Sequence, residues 1–254
     1  MTNCRLMTLN ILTDGLYNYG DSRFEHRCKA IKEMIRTTDP DLIGVQELTG
    51  RMFPYFKDLL EIYGFCGQGR GSRISDEYSA ILYKKEKYLL LETKTYWLSD
   101  TPLKKGSKYL LSQFPRIVTM ADLRNRQTGE EIRFYNTHLD QNFSFIREKQ
   151  AKVLASLIRD KGNDAVTFIS GDFNDVPCSP AIEALLKAGF NDLVSADLGS
   201  TLKGKIGSAI HRQMPIDHIF VSCDPQKCTV TKLDQKYAGY YPSDHYPLIA
   251  QIEY

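Results

Sequence analysis

The 254-residue chain is 42% hydrophobic and 25% charged, which supplies a globular core and excludes a disordered or fibrous protein. A formal net charge of +2 excludes a protein coated with basic residues for wrapping nucleic acid, while leaving room for local basic patches. No apolar run reaches membrane-spanning length and none precedes Asn10 to serve as a removable leader, so no membrane insertion is expected.

Leu6–Leu12 reads as a short strand opening into a loop at Asn10, bounded by Asp14 and Gly15. Glu25–Thr37 carries Cys28, Ile31, Met34 and Ile35 at helical spacing, and Asp39-Pro40-Asp41 stops it. Leu42–Gln46 is a buried strand that delivers Glu47 at its end. Phe53, Phe56, Leu59, Leu60 and Tyr63 mark a second helix, closed by Gly64. Tyr78–Tyr83, Tyr88–Leu98, Arg116–Leu123 and Ile132–Asn136 are extended, the last two joined by a hairpin over Asn125–Glu130.

Ahead of Arg116, Ser99–Phe114 is a long polar connection containing Lys104, Lys105 and Lys108, of a length that is usually functional or mobile. Ile146–Ile158 is a helix with Ala151, Leu154, Ala155 and Ile158 on one face. Ala165–Ile169 is a buried strand that ends on the Gly171-Asp172 turn. Ser179–Lys187 is a helix with Ser179 as its cap and Pro180 at its first position. Ile216–Val221, Thr229–Leu233 and Leu248–Ile252 complete the strands, the last alternating as a half-buried strand should. No linker or repeat interrupts the chain, so one domain over 1–254 and a monomer are expected. Two strand-rich halves with helices between them suggest two packed sheets with helices outside. The six cysteines lack any C-x-x-C pair, which argues against structural zinc and for reduced, mostly buried thiols in a cytoplasmic protein.

Four segments carry the chemistry: Gln46-Glu47, Asn136-Thr137-His138-Leu139-Asp140, Ser170-Gly171-Asp172-Phe173-Asn174 and Tyr241-Pro242-Ser243-Asp244-His245-Tyr246-Pro247. Together they offer hard oxygen ligands, a carboxylate and an amide two residues apart, and two imidazoles. That inventory suits metal-assisted cleavage of a phosphate ester. At i, i+2 beyond a strand, Asp172 could accept a proton from water while Asn174 orients it, although the same residues also make a good turn. Arg116, at a strand start, offers a bidentate fork for a substrate phosphate, or a surface ion pair. Asp140 either supports His138 or caps the following loop. His218 reads as a strand residue, and His26 and His211 have no motif. Gly67–Arg73 lacks both nucleotide fingerprints and reads as a flexible basic loop at the rim of the site.

These segments, with Leu9-Asn10 and Ile216-Asp217-His218-Ile219-Phe220, resemble the endonuclease/exonuclease/phosphatase superfamily over nearly the whole chain. The resemblance implies an α+β fold of the deoxyribonuclease I type, a four-layer α/β/β/α sandwich of mainly antiparallel sheets with the site at one edge. It implies a magnesium (or manganese) ion held by Glu47 and Asn10 with Asp244 on the metal side. It also implies that Asp217 pairs with His245 as a proton-handling dyad, and that His138 stabilises the phosphorane. Asp172 with Asn174 would then position and deprotonate the attacking water.

Trp97-Leu98-Ser99-Asp100-Thr101-Pro102 and Phe114-Pro115-Arg116 make the chain similar to a bacterial branch near the deadenylase and nocturnin group. The family's T-[FW]-H-G segment is replaced here by Ser200-Thr201-Leu202-Lys203-Gly204. The expected partner is a phosphate ester, such as a nucleotide or short nucleic acid. A nuclease acting on strands or ends stays open beside a small-molecule or lipid phosphatase. The rivals from other classes are a non-catalytic binding protein and a zinc hydrolase.

Overall fold

Alternation along each central strand sorts its side chains into two cores. In β1 (Asn3–Asn10), Met7 and Leu9 pack with Ile31, Met34 and Ile35 of helix α1 (Phe24–Thr38), while Cys4 and Leu6 face the other way. In β2 (Leu42–Leu48), Ile43 and Val45 join the helix side and Leu42 joins Leu6. The computed structural model describes residues 2–15, 18–162, 164–204 and 207–254. Its remaining strands are β3 (Tyr63–Cys66), β4 (Tyr78–Lys84), β5 (Tyr88–Trp97), β6 (Ile117–Asn125), β7 (Glu131–His138), β8 (Val166–Asp172), β9 (Asn191–Asp192), β10 (Asp217–Val221), β11 (Lys227–Lys232) and β12 (Leu248–Glu253). The other helices are α2 (Lys57–Ile62), α3 (Ser144–Lys161) and α4 (Pro180–Lys187).

One six-stranded sheet runs β11-β12-β1-β2-β4-β3 and the other β5-β6-β7-β8-β10-β9. Each has one parallel pair at its centre, β1 with β2 and β7 with β8, crossed over by α1 and α3; the other pairings are antiparallel. One core lies between α1 and the first sheet, one between the two sheets, and one under α3 and α4 against the second sheet. The layers are therefore α/β/β/α, as the resemblance implied.

The inter-sheet core turns polar towards one end. Asn136 donates to the carbonyls of Val45 (3.0 Å) and Ala80 (2.8 Å), and its Oδ1 accepts from Gln46 (2.7 Å) and Ser170 (3.1 Å). All four hydrogen-bonding positions of the amide are used, so the two sheets are tied by a satisfied network. A Cβ at Gly44 would collide with Ser170 Oγ and Asn136 Oδ1, so only glycine lets the sheets approach here.

Three expectations are revised. The second helix breaks up: Phe53–Phe56 is a 3₁₀ turn holding Pro54, α2 is short, and Tyr63 already belongs to β3. Gly64 is not a helix stop but a strand residue over which the Tyr83 ring lies too close for any Cβ. The strands β3 and β9 had no period of their own to reveal them. Of the six free thiols only Cys4, Cys28 and Cys66 are buried, so "mostly buried" holds for half of them.

Candidate active site

The parallel pairs aim their carboxyl ends at one edge, so Asn10 (β1), His138 (β7) and Asp172 (β8) end their strands there, with Glu47 next to last in β2. Antiparallel neighbours start at the same edge: Asp217 opens β10 opposite Asp172, and Arg116 immediately precedes β6. The sheet pattern alone therefore gathers residues 162 positions apart, as in the Asn10–Asp172 contact.

Asp172 is the centre. It is 1% exposed, and its Oδ2 accepts from Asn10 Nδ2 at 3.0 Å and faces His138 Nε2 at 3.5 Å and His245 Nε2 at 3.7 Å. Its Oδ1 accepts from the Asn174 backbone N–H at 2.9 Å. The same Asn10 amide nitrogen donates to Glu47 Oε1 at 2.9 Å. Burial pushes the Asp172 carboxyl up to about 7; His245 opposes that rise, and Asp217 adds to it.

Glu47 reaches the site through a strained backbone. The β2–β4 register shifts between Gln46 and Leu48, and Glu47 has φ 63°, a left-handed conformation at a bulge. Such strain costs roughly 1–3 kcal/mol. Hydrogen bonds to a charged carboxylate contribute about 1.5–3 kcal/mol each. Glu47 accepts two, from Asn10 and from the Thr13 N–H at 2.9 Å, so the strain is offset. The loop carrying Thr13 is fixed by Arg27, a buried α1 residue whose guanidinium donates to the carbonyls of Ile11, Thr13 and Ser22. Nothing in the sequence pattern signalled Arg27.

The two site histidines differ in what stands behind them. His245 Nδ1 lies 2.9 Å from Asp217 Oδ2. Burial disfavours its charge, but Asp217, Asp172 and Asp244 outweigh it and hold the imidazole well above its usual value. His138 Nδ1 is buried with no hydrogen-bond partner among the described residues. Burial first, then the charges of Arg116, Arg70 and His245, hold His138 well below its usual value, so it is neutral.

Arg116 is 3% exposed, and its guanidinium makes no hydrogen bond among the described residues, its Nε included. A surface ion pair is thereby excluded for it. Arg70 was read as part of a flexible rim loop, and here the structure differs. Arg70 is buried, pairs bidentately with Glu77 at 2.9 and 3.0 Å, and lies over the Phe114 ring at 4.3 Å. Phe114 is distant in sequence and Glu77 lies beyond the Gly67–Arg73 segment, which is why composition alone read this arginine as loose.

The other candidates divide. Asn174 (φ 50°) turns its side chain to the Leu139 carbonyl at 3.2 Å, tying the Asp172 turn to the His138 loop. Asp140 accepts from the N–H groups of Asn142 and Phe143 and so caps the loop leading into α3. Asp244 makes no hydrogen bond to the Asp172 cluster; it accepts from Ser243 Oγ at 3.1 Å and lines an adjacent cleft. His218 lies in β10 as expected, but is fully buried between two acceptors, Asp192 Oδ2 at 2.7 Å and the Asp175 carbonyl at 3.0 Å. Two acceptors require two N–H donors, which makes His218 an imidazolium.

The donor set can be tested against a divalent metal. Asp172, Asp217 and His245 place ligand atoms within 4.8 Å of one another, but the short His245–Asp217 hydrogen bond already accounts for the closest of these groups. Glu47 and Asp172 are the better fit, because the shared Asn10 Nδ2 donor brings one carboxylate oxygen of each close to the other. Hard carboxylate oxygens suit Mg²⁺ or Mn²⁺ rather than zinc. Asn10 presents its nitrogen there, its Oδ1 accepting from the Leu12 N–H at 3.0 Å.

Two curated relatives are similar to the chain. The CCR4-Not complex 3′-5′-exoribonuclease subunit Ccr4 of Debaryomyces hansenii is 23% identical over 95% of this chain and 37% of its own length. Nocturnin of Drosophila melanogaster is 25% identical over 72% of this chain and 30% of its own length. The chain thus spans about a third of the length of the curated relatives it matches. Among solved structures, mannosyl-6-phosphatase of Bacteroides thetaiotaomicron superposes with a TM-score of 0.83 at 24% identity, covering 99% of this chain and 100% of the other. The model of the Endonuclease/Exonuclease/phosphatase family matches residues 7–245. With a family match that takes in Asn10, Glu47, His138, Asp172 and His245, the chain belongs to the endonuclease/exonuclease/phosphatase family.

Proposed function

We propose that the chain hydrolyses phosphate esters with bound Mg²⁺ or Mn²⁺, acting on one or a few phosphates in a small phosphodiester, a nucleotide or a short single-stranded end. The observation that carries this reading is Asp172, hydrogen-bonded through Asn10 to Glu47 and faced by two imidazoles, one favoured in its protonated form and one in its neutral form. Glu47, oriented by Asn10 with the Asp172 carboxylate beside it, would hold the cation, which would neutralise charge on a phosphoryl oxygen. Asp172 accepts the proton of the attacking water while the Asn174 N–H fixes its other oxygen. His245, protonated and backed by Asp217, gives a proton or hydrogen bond to the departing oxygen. Neutral His138 donates to a phosphoryl oxygen, and the unpaired Arg116 guanidinium supplies a fork for the phosphate.

The preference for small substrates is supported by 33 basic against 31 acidic residues, since duplex binding rests on many Lys and Arg contacts. The likeness to Ccr4 over 95% of the chain favours a nuclease as the second reading. A reducing, cytoplasmic setting fits six free cysteines. No helix among the described residues is long and apolar enough to cross a membrane.

The test is turnover of single-stranded RNA and DNA, inositol phosphates, nucleotides and sphingomyelin in Mg²⁺, Mn²⁺, Zn²⁺ or excess chelator. Activity in Mg²⁺ or Mn²⁺ that chelation abolishes is expected. Full activity in chelator, or rescue by zinc alone, defeats the metal assignment, and no turnover on any ester revives a binding protein. Strong cleavage of long duplex DNA with a steep salt dependence moves the nuclease reading ahead.

A further inference from the structure

The segment that replaces the family's aromatic one carries Lys203, and it is strapped to the His245 loop. Lys203 N donates to the Asp244 carbonyl at 2.7 Å, Tyr246 N to the Thr201 carbonyl at 2.6 Å, and Leu202 bridges His245 as an antiparallel neighbour. Antiparallel pairing puts Cα atoms about 4.5–5.5 Å apart, so Lys203 starts one strand spacing from the His245 loop. Lys232 anchors the same segment by donating to the carbonyls of Leu198 and Ser200.

Lys203 shares an aromatic ring with a second lysine. Its ammonium lies 4.8 Å from the centroid of Tyr241, and the Lys236 ammonium lies 5.6 Å from the same centroid. Neither forms an ion pair with a carboxylate among the described residues. Each ammonium is attracted to the shared ring, a contact that leaves its charge and its N–H donors available to an anion. They line a cleft of about 140 Å³ whose wall continues through Ser243 and Asp244 to the neighbour of His245. Of its charged lining, Arg27, Lys203 and Lys236 outnumber Asp21 and Asp244, and Arg27 is already bonded to backbone carbonyls.

We propose that this cleft is a second anion subsite, which binds a phosphoryl group of the substrate other than the one cleaved. The preferred substrate is then a small molecule carrying two phosphoryl groups; this specificity rests on the phosphoester-hydrolase reading above. Loss of two charge-assisted contacts predicts about a tenfold or larger effect.

The experiment compares wild type with the Lys203→Met/Lys236→Met double variant, which keeps the apolar stems. Substrates are a nucleoside 3′,5′-bisphosphate and a hexose 1,6-bisphosphate, each beside its monophosphate. Wild type should favour at least one bisphosphate, and the double variant should raise its KM about tenfold or more, collapsing that preference. Equal use of mono- and bisphosphates by wild type, or a preference that survives in the double variant, overturns the proposal.

A second arm measures binding of inorganic pyrophosphate by calorimetry in chelator. Weakening of about tenfold in the double variant supports the subsite, and unchanged binding overturns it. Weakened binding without turnover of any ester leaves the subsite standing while the hydrolase reading fails. Should the double variant not fold, Lys236→Met, at an exposed position, gives the same comparison with a smaller expected change.

Discussion

His245 and His138 face the same Asp172 oxygen, at 3.7 and 3.5 Å, from loops at the ends of different strands. Behind His245 stands the Asp217 carboxylate; behind His138 Nδ1 there is no hydrogen-bond partner among the described residues, and the charges of Arg116 and Arg70 add to burial in disfavouring its proton. The shared carboxylate cannot explain why one imidazole is held well above its usual proton affinity and the other well below. What differs is the charge behind each ring. A site built this way keeps one proton donor charged and one neutral at a single pH, the arrangement that acid–base work at phosphorus requires.

The largest effect should come from removing what the two histidines share. Asp172→Asn keeps the shape but loses the charge and the proton acceptor, and turnover should fall roughly a hundredfold or more. Near-wild-type turnover in a folded Asp172→Asn protein would show that the comparison has no bearing on chemistry.

Next come the two groups behind the rings, which should act in opposite directions. Asp217→Asn should lower the proton affinity of His245, and Arg116→Gln should raise that of His138, both read by NMR titration of the imidazoles. Each should also lower turnover by roughly tenfold or more. Movement of both histidines in the same direction in either variant breaks the comparison.

A third histidine sharpens it through stability. Burial works against charge on His218, but Asp192, together with the Asp175 carbonyl, raises its affinity above the usual value. A raised folded value stabilises fully below the unfolded value of about 6.5 and is lost as pH rises through the folded value. Urea unfolding of wild type should therefore show stability falling more steeply than in Asp192→Asn as pH rises above about 6.5. Parallel curves would mean that His218 is neutral in the fold.

The smallest effects belong to the histidines outside any motif. His26 stacks on Tyr240 at 4.7 Å, and His211 donates no side-chain hydrogen bond to the site. His26→Ala and His211→Ala should leave kcat/KM within about twofold of wild type. A loss at His211 as large as that of His245→Ala would displace the reading of the C-terminal motif.

Much of this was legible beforehand because it is local. Period 3.6 marked α1 and α3, Ser179-Pro180 marked the start of α4, and short apolar runs marked the central strands. The expected site residues Asn10, Glu47, His138, Asp172, Asp217 and His245 do converge at one edge. Where a signal was lacking, the reading slipped. The second helix splits at Phe56, whose backbone leaves the helical region, β9 is two residues long, and the loop around Arg70 looked free because Glu77 and Phe114 carry no marker tying them to it.

By itself the sequence determined which residue types reach a strand end, since spacing along one segment is set by backbone geometry within a few residues. It also determined the family, because short motifs keep their order. Only the tertiary structure decided that Asn10 turns its nitrogen to Glu47 and Asp172, that Asp244 faces a cleft and that Arg116 lies buried with no hydrogen bond among the described residues. It also decided that two histidines beside one carboxylate differ in charge. Hydrogen-bond direction, burial and electrostatic neighbours are properties of residues brought together from as far as 162 positions apart, and no local pattern encodes them.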